Sequence, residues 1–138
     1  MGDFSGLPVR YFRVKNTSVS GPGENSSQQR ILSIDGSWGP ATTRRLQEML
    51  NCSIKDGIIS GQIVNRANQF VPSVRFGYGG SNVIRALQIL LRVSSDGNLG
   101  PITCLALQQR MGTIADGMIS PESDCVKVLQ DRLNKGTL

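Results

Sequence analysis

The sequence predicts a mainly α protein: two small helical units, the second of three helices and the first an abbreviated copy, after an extended N-terminal segment. Three observations carry that prediction. An internal repeat runs through residues 30–138 at an offset of 61 residues. Apolar residues recur at helical spacing in short segments. Asp-Gly and Gly-Pro pairs punctuate those segments in the same order in both copies.

The repeat is read directly from the residues. Asp35-Gly36-Ser37-Trp38-Gly39-Pro40-Ala41-Thr42 matches Asp96-Gly97-Asn98-Leu99-Gly100-Pro101-Ile102-Thr103, and Leu46-Gln47 matches Leu107-Gln108. After a one-residue slip, Asp56-Gly57-Ile58-Ile59-Ser60 matches Asp116-Gly117-Met118-Ile119-Ser120. Asp-Gly forms a turn because the carboxylate bonds nearby amides and glycine accepts positive φ. Pro40 and Pro101 start helices, since proline at the first helical position loses no needed hydrogen bond. Thr43, Leu46 and Leu50 then share one helix face, as do Cys104, Leu107 and Met111. A further helix is expected from near Gly61 to Pro72, and its counterpart carries Val126, Leu129 and Leu133. Asn82 to Arg92 opens the second unit with Ile84, Leu87 and Leu91 on one face. The first unit has no comparable opening helix; Gln29-Arg30-Ile31-Leu32 supplies at most one turn of it.

The expected organisation is therefore a linker or tail over 1–29, a first repeat over 30–72, a connector over 73–80 and a second repeat over 81–138. The tail is rich in Ser, Gly, Asn and Pro, apart from one short strand-like run in GLPVRYFRV. Three glycines in the connector forbid regular structure there. Its Phe76 and Tyr78 either anchor the connector between lobes, the reading favoured by the area aromatics bury, or stand exposed as a ligand platform.

Composition narrows the chemistry. The 138 residues are 38% hydrophobic and 18% charged, enough apolar content to fold. No apolar run could cross a bilayer. Absence of histidine excludes His-based triads and His-ligated zinc. Cys52, Cys104 and Cys125 are an odd number without CxxC spacing, so they read as small hydrophobes, not as a disulfide frame or metal site. The net charge of +5 favours polyanionic partners, and its largest share lies in residues 30–79. No signal peptide is visible, so synthesis in the cytoplasm is expected.

The ordered motifs resemble the peptidoglycan-binding domain family: Leu-Gln, then Asp-Gly-x-x-Gly-Pro-x-Thr, then Leu-Gln, then Asp-Gly-Ile/Met-Ile-Ser. In tandem, with Gly77-Tyr78-Gly79-Gly80-Ser81-Asn82-Val83-Ile84-Arg85-Ala86-Leu87-Gln88 between copies, they are similar to the C-terminal wall-targeting region of bacteriophage endolysins and Gram-positive wall hydrolases. The resemblance covers residues 30–138. It implies a non-catalytic module that holds peptidoglycan or a wall-attached anionic polymer and keeps a hydrolase, such as a muramidase or amidase, at the wall during host lysis. It implies no cofactor, no metal, no membrane and no nucleic-acid partner, and a chain that is either an excised fragment or an internally initiated product.

Most signature residues have a structural reading that outweighs a ligand role. Trp38 matches Leu99, so it reads as a plug under the turn more readily than as a sugar-stacking surface. The four Leu-Gln pairs place leucine in the core and an amide beside it for loop backbone. Each Asp-Gly offers a single carboxylate, too few for calcium. Thr42 and Thr103 cap a helix or frame a shallow groove, capping being favoured. Arg44 and Arg45 stand where the second unit has Leu105 and Ala106; with Arg66 they suit carboxylates or phosphates, or form a solvated face. The ligand candidates are thus Thr42, Arg44, Arg45, Arg66, Tyr78 and Thr103. Two alternatives stay open: a small basic helical nucleic-acid-binding protein, and a self-associating subunit that assembles with a full-length endolysin.

Overall fold

The computed structural model describes residues 31–138, so the tail and its strand-like run lie outside the described residues. The protein is mainly helical. In order come α1 (Pro40–Met49), β1 (Ile59–Gln62), β2 (Val74–Phe76), α2 (Asn82–Leu91), α3 (Pro101–Met111) and α4 (Asp124–Lys135). The strands pair in parallel, Ile59 with Val74 and Gln62 with Phe76, with an irregularity between.

Each helix exists for a legible reason. α1 and α3 start at prolines behind glycine N-caps. α2 and α4 start behind Ser81 and Ser123. α2, α3 and α4 stop at a left-handed residue, Arg92, Gly112 and Gly136, and α1 stops just before left-handed Asn51. The leucines of all four Leu-Gln pairs are buried in one cluster, together with Trp38, Leu99, Ile59 and Ile119. That cluster draws on both copies of the repeat, and residues 32–138 are one compact unit sharing a single core. The duplicated halves are not walled off as two lobes.

The first copy's missing opening helix is found at the other end of the unit. α4 packs against α1 as well as against α3. Ser123 N donates to Gly36 O at 2.9 Å, as Ser81 N donates to Gly97 O at 2.9 Å. α4 therefore stands to the first Asp-Gly-x-x-Gly-Pro loop as α2 stands to the second. Four helices and four Asp-Gly loops form a ring, closed without a covalent bond where α4 meets residues 32–37. Leu32 completes that closure, its N–H donating to Asn134 Oδ1 at 2.7 Å and its carbonyl accepting from Asn134 Nδ2 at 3.0 Å.

Residues 61–80 depart from the expected helix-then-irregular-connector. No helix forms between Gly61 and Pro72. Gly61 sits at φ +63, and a Cβ there would lie 2.6 Å from the Tyr78 carbonyl, so the chain bends where a helix was expected. Asn65 and Asn68 then bind neighbouring backbone through their side chains, which competes with helical hydrogen bonding. The connector begins with strand β2, its glycines coming only afterwards. The segment is fastened to the second copy: Gln62 Nε2 donates to Gly97 O at 2.8 Å, its Oε1 accepts from Leu99 N at 2.7 Å, and Ile119 N donates to Ala67 O.

Candidate ligand-binding grooves and the loops that build them

The glutamines and Asp-Gly pairs combine into four equivalent clasps. Gln47 Nε2 reaches Asp56 Oδ1 at 3.1 Å and its Oε1 accepts from Gly57 N at 2.8 Å. Gln88 holds Asp96 and Gly97 at 2.9 and 2.9 Å. Gln108 holds Asp116 and Gly117 at 2.8 and 2.8 Å. Gln130 holds Asp35 and Gly36 at 2.9 and 3.0 Å across the ring closure. The second residue after each aspartate donates its N–H to the same carboxylate oxygen, which completes the turn. These bonds stabilise the charged carboxylate. Ser37 N and Gln130 hold Asp35 below the usual carboxylate range, Gln47 and Ile58 N do so for Asp56, Asn98 N and Gln88 for Asp96, and Gln108 and Met118 N for Asp116. Glutamine meets both needs because its amide carries a donor for the carboxylate and an acceptor for the glycine N–H.

The clasps also absorb two of the candidate ligand residues. Thr42 and Thr103 are buried first-turn hydroxyls that accept from Gln130 Nε2 and Gln88 Nε2, each at 3.0 Å. Neither is a helix cap; the N-caps are Gly39 and Gly100. Trp38 is only 1% exposed and Leu99 is fully buried, as expected of plugs beneath the turns. Cys104 and Cys125 are buried in the core and free, their thiols pushed up by burial to about 12 and about 11.

The other candidates lie on the surface. Arg44 and Arg45 each face Glu48 at 3.8 Å, Arg44 largely exposed and Arg45 mostly covered. Arg66 is exposed, with Nη2 3.8 Å from Met118 Sδ. Tyr78 is 91% and Phe76 55% exposed, so neither is the anchor that aromatic burial favoured. Their turn is nonetheless fixed: Gly77 N donates to Gln62 O at 2.8 Å and Gly80 N to Gly61 O at 2.9 Å.

Two shallow grooves occupy equivalent places in the two copies. Each lies between an Asp-Gly-Ile/Met-Ile-Ser loop and the N-terminus of the next helix. One is bordered by Asp56, Ser60 and Ser81 and holds about 80 Å³. The other is bordered by Asp116, Ser120 and Ser123 and holds about 180 Å³. No candidate from the sequence lines either one. Serines at helix starts were a visible signal, but only the pairing of loop with helix shows that they border a cavity. Among the described residues no cluster of three acidic, cysteine or histidine side chains is placed to hold a metal, and no helix is long and apolar enough to cross a membrane. Comparison with family models, with curated proteins and with solved structures finds no match to this chain.

Proposed function

We propose that this chain is a non-catalytic wall-binding module of two peptidoglycan-binding-like units, which targets an attached or associated peptidoglycan hydrolase of the endolysin kind to the bacterial wall. The reading rests on the ordered, duplicated motif set and on how the clasps use it. Because glutamine, aspartate and glycine are consumed in architecture, adhesion falls to groups outside the clasps. The observation that carries it is the fixed turn bearing Tyr78 and Phe76 in solvent beside exposed Arg75. An exposed aromatic face on a turn whose backbone is fixed complements the flat C–H face of a sugar. An adjacent guanidinium suits the carboxylates of stem peptides or the phosphates of wall polymers. Weak contacts of this sort on one body gain strength on a dense polymer, because the second contact is intramolecular.

The test is retention on purified Gram-positive sacculi, before and after acid extraction of teichoic acid. Retention that survives extraction assigns a glycan–peptide ligand; retention lost with it assigns the polymer. Tyr78→Ala is expected to weaken retention while leaving thermal unfolding unchanged, because the side chain packs on almost nothing. Failure of the wild-type chain to bind either wall preparation would refute the proposal.

A further inference from the structure

The two copies part company between the second Asp-Gly loop and the helix that follows it. In the second copy two residues, Pro121 and Glu122, separate Ser120 from Ser123. In the first copy twenty residues, 61–80, separate Ser60 from Ser81. The inner side of this longer segment is structural: Gln62, Ala67, Asn68 and Val71 are buried, and Gln62 and Asn65 bond to the loop of the second copy. Its outer side is not. Phe70, Phe76 and Tyr78 are the exposed aromatics among the described residues, and all three stand here, with Ile63 and Val64 exposed as well. The duplicate does without this segment, and packing does not explain why it holds large apolar side chains in water.

Charge follows the same asymmetry. From Gly57 to Ser95 the chain holds Arg66, Arg75, Arg85 and Arg92 and no aspartate or glutamate. Two of these arginines meet at the Tyr78 turn. Arg75 lies on β2, its Nη1 donating to the Pro72 and Val74 carbonyls at 3.2 and 3.1 Å. Arg85 reaches over from α2, its Nη2 donating to Gly79 O at 2.6 Å. Neither has a carboxylate within ion-pair distance among the described residues, whereas Lys127, the counterpart of Arg85 on α4, pairs with Glu122 at 3.0 Å. Each guanidinium keeps further N–H donors for an anion. Ile63 completes the apolar part, because the carbonyl of Gln62, one residue before it, accepts from Gly77 N at 2.8 Å.

We propose that this turn binds a phosphodiester-linked polyol or sugar polymer. The two guanidiniums engage its phosphates bidentately, and Phe76, Tyr78 and Ile63 lie against the C–H faces of the intervening units. A stem peptide carries amines beside its carboxylates, and the turn has no carboxylate to receive an amine. A single-stranded nucleic acid calls for a charged groove that tracks its backbone, and neither of the two grooves contains any of these residues. As an account of wall binding the assignment rests on the proposed function, with a wall-attached polymer as the source; the surface chemistry stands by itself.

The experiment measures binding of the chain to soluble poly(glycerol phosphate), to polyglutamate of matched length and to single-stranded DNA, alongside sacculus retention before and after acid extraction. Poly(glycerol phosphate) is expected to bind about tenfold or more tightly than the other two. Arg75→Gln and Arg85→Gln should each weaken it by about tenfold or more, the loss of a charge-assisted bidentate pair, and Tyr78→Ala by about fivefold. Lys135→Gln removes one positive charge from α4 and is expected to change binding by less than about twofold. Arg75 and Tyr78 are exposed, so their variants are expected to unfold with the wild type. Equal binding of polyglutamate or DNA, an equal loss in Lys135→Gln, or undiminished binding in both Arg75→Gln and Tyr78→Ala would overturn the assignment. Wall retention that survives extraction refutes the polymer and leaves the wall-binding reading standing. Binding of poly(glycerol phosphate) without wall retention does the reverse.

Discussion

Replacing Gln130 by alanine tests the ring closure most directly. The side chain is buried, and its Nε2 lies 2.9 Å from Asp35 Oδ1, 3.0 Å from Ser37 O and 3.0 Å from Thr42 Oγ1, while its Oε1 accepts from Gly36 N at 3.0 Å. Two amide hydrogens and one carbonyl make about three effective bonds, each contributing about 1 kcal/mol net, and truncation strands the buried Gly36 N–H at a further 1–3 kcal/mol or so. The expected loss is therefore about 4–6 kcal/mol. Against the roughly 5–15 kcal/mol of a typical domain that is a large fraction, and it lowers Tm by about 15–30 °C at this size. Urea unfolding followed by Trp38 emission is the assay, because the single tryptophan is buried next to the closed loop. Gln88→Ala cuts the same pattern of bonds within one stretch of chain and should cost a similar amount. A loss under about 1 kcal/mol for Gln130→Ala, within the range of surface substitutions, with Gln88→Ala costing several times more, would refute the claim that α4 completes the first copy.

Glycine position should matter more than glycine number. Gly97→Ala forces a Cβ to 2.9 Å from Ser81 N at φ +80, whereas Gly112→Ala, at φ +75, meets nothing within 4 Å. Gly112→Ala is expected to cost about 1–2 kcal/mol of left-handed strain and Gly97→Ala clearly more, read as a shift in urea midpoint. Acid should weaken the fold. Asp35, Asp56, Asp96 and Asp116 have carboxyl groups held below their unfolded values, so their contribution is complete above the unfolded range near pH 4 and disappears as pH falls through the folded values. Urea midpoints from pH 6 to 2 should fall most steeply below about pH 4, and Asp96→Asn should flatten that limb. Cys104 and Cys125 should resist a thiol reagent in the native state, leaving half-buried Cys52 as the slow reactor, with all three labelled in denaturant.

Helices and turns were legible in the sequence because their causes are local. Pro40, Pro101 and the apolar face of each Leu-Gln helix act over one or two turns, and α1, α2 and α3 follow them. Closure by α4 was not legible because Gln130 and Asp35 are 95 residues apart. A trace of it existed: three Leu-Gln pairs are followed eight or nine residues later by their Asp-Gly, while Asp35-Gly36 has no Leu-Gln before it. The same fact explains why α4 runs five residues past its glutamine, whereas α1 ends two residues after Gln47. The helix expected from Gly61 to Pro72 follows from the match to the second copy, but Gly61, Asn65 and Asn68, whose preferences oppose a helix, stand there in place of Pro121, Cys125 and Val128. Thr42 and Thr103 looked like ligand or cap groups because their true partners come from a different helix.

The absent covalent link at the ring closure sets an order of events during synthesis. As the chain leaves a ribosome, Gln47, Gln88 and Gln108 can each grip an Asp-Gly made within the next few residues. Asp35-Gly36 is made first of the four and must wait for a helix some ninety residues downstream. Until α4 emerges, Asp35-Gly36 has no glutamine to hold it, and the core around Trp38 lacks the Val126, Leu129 and Leu133 side chains. The last contacts of the fold therefore form where the oldest and youngest parts of the unit meet.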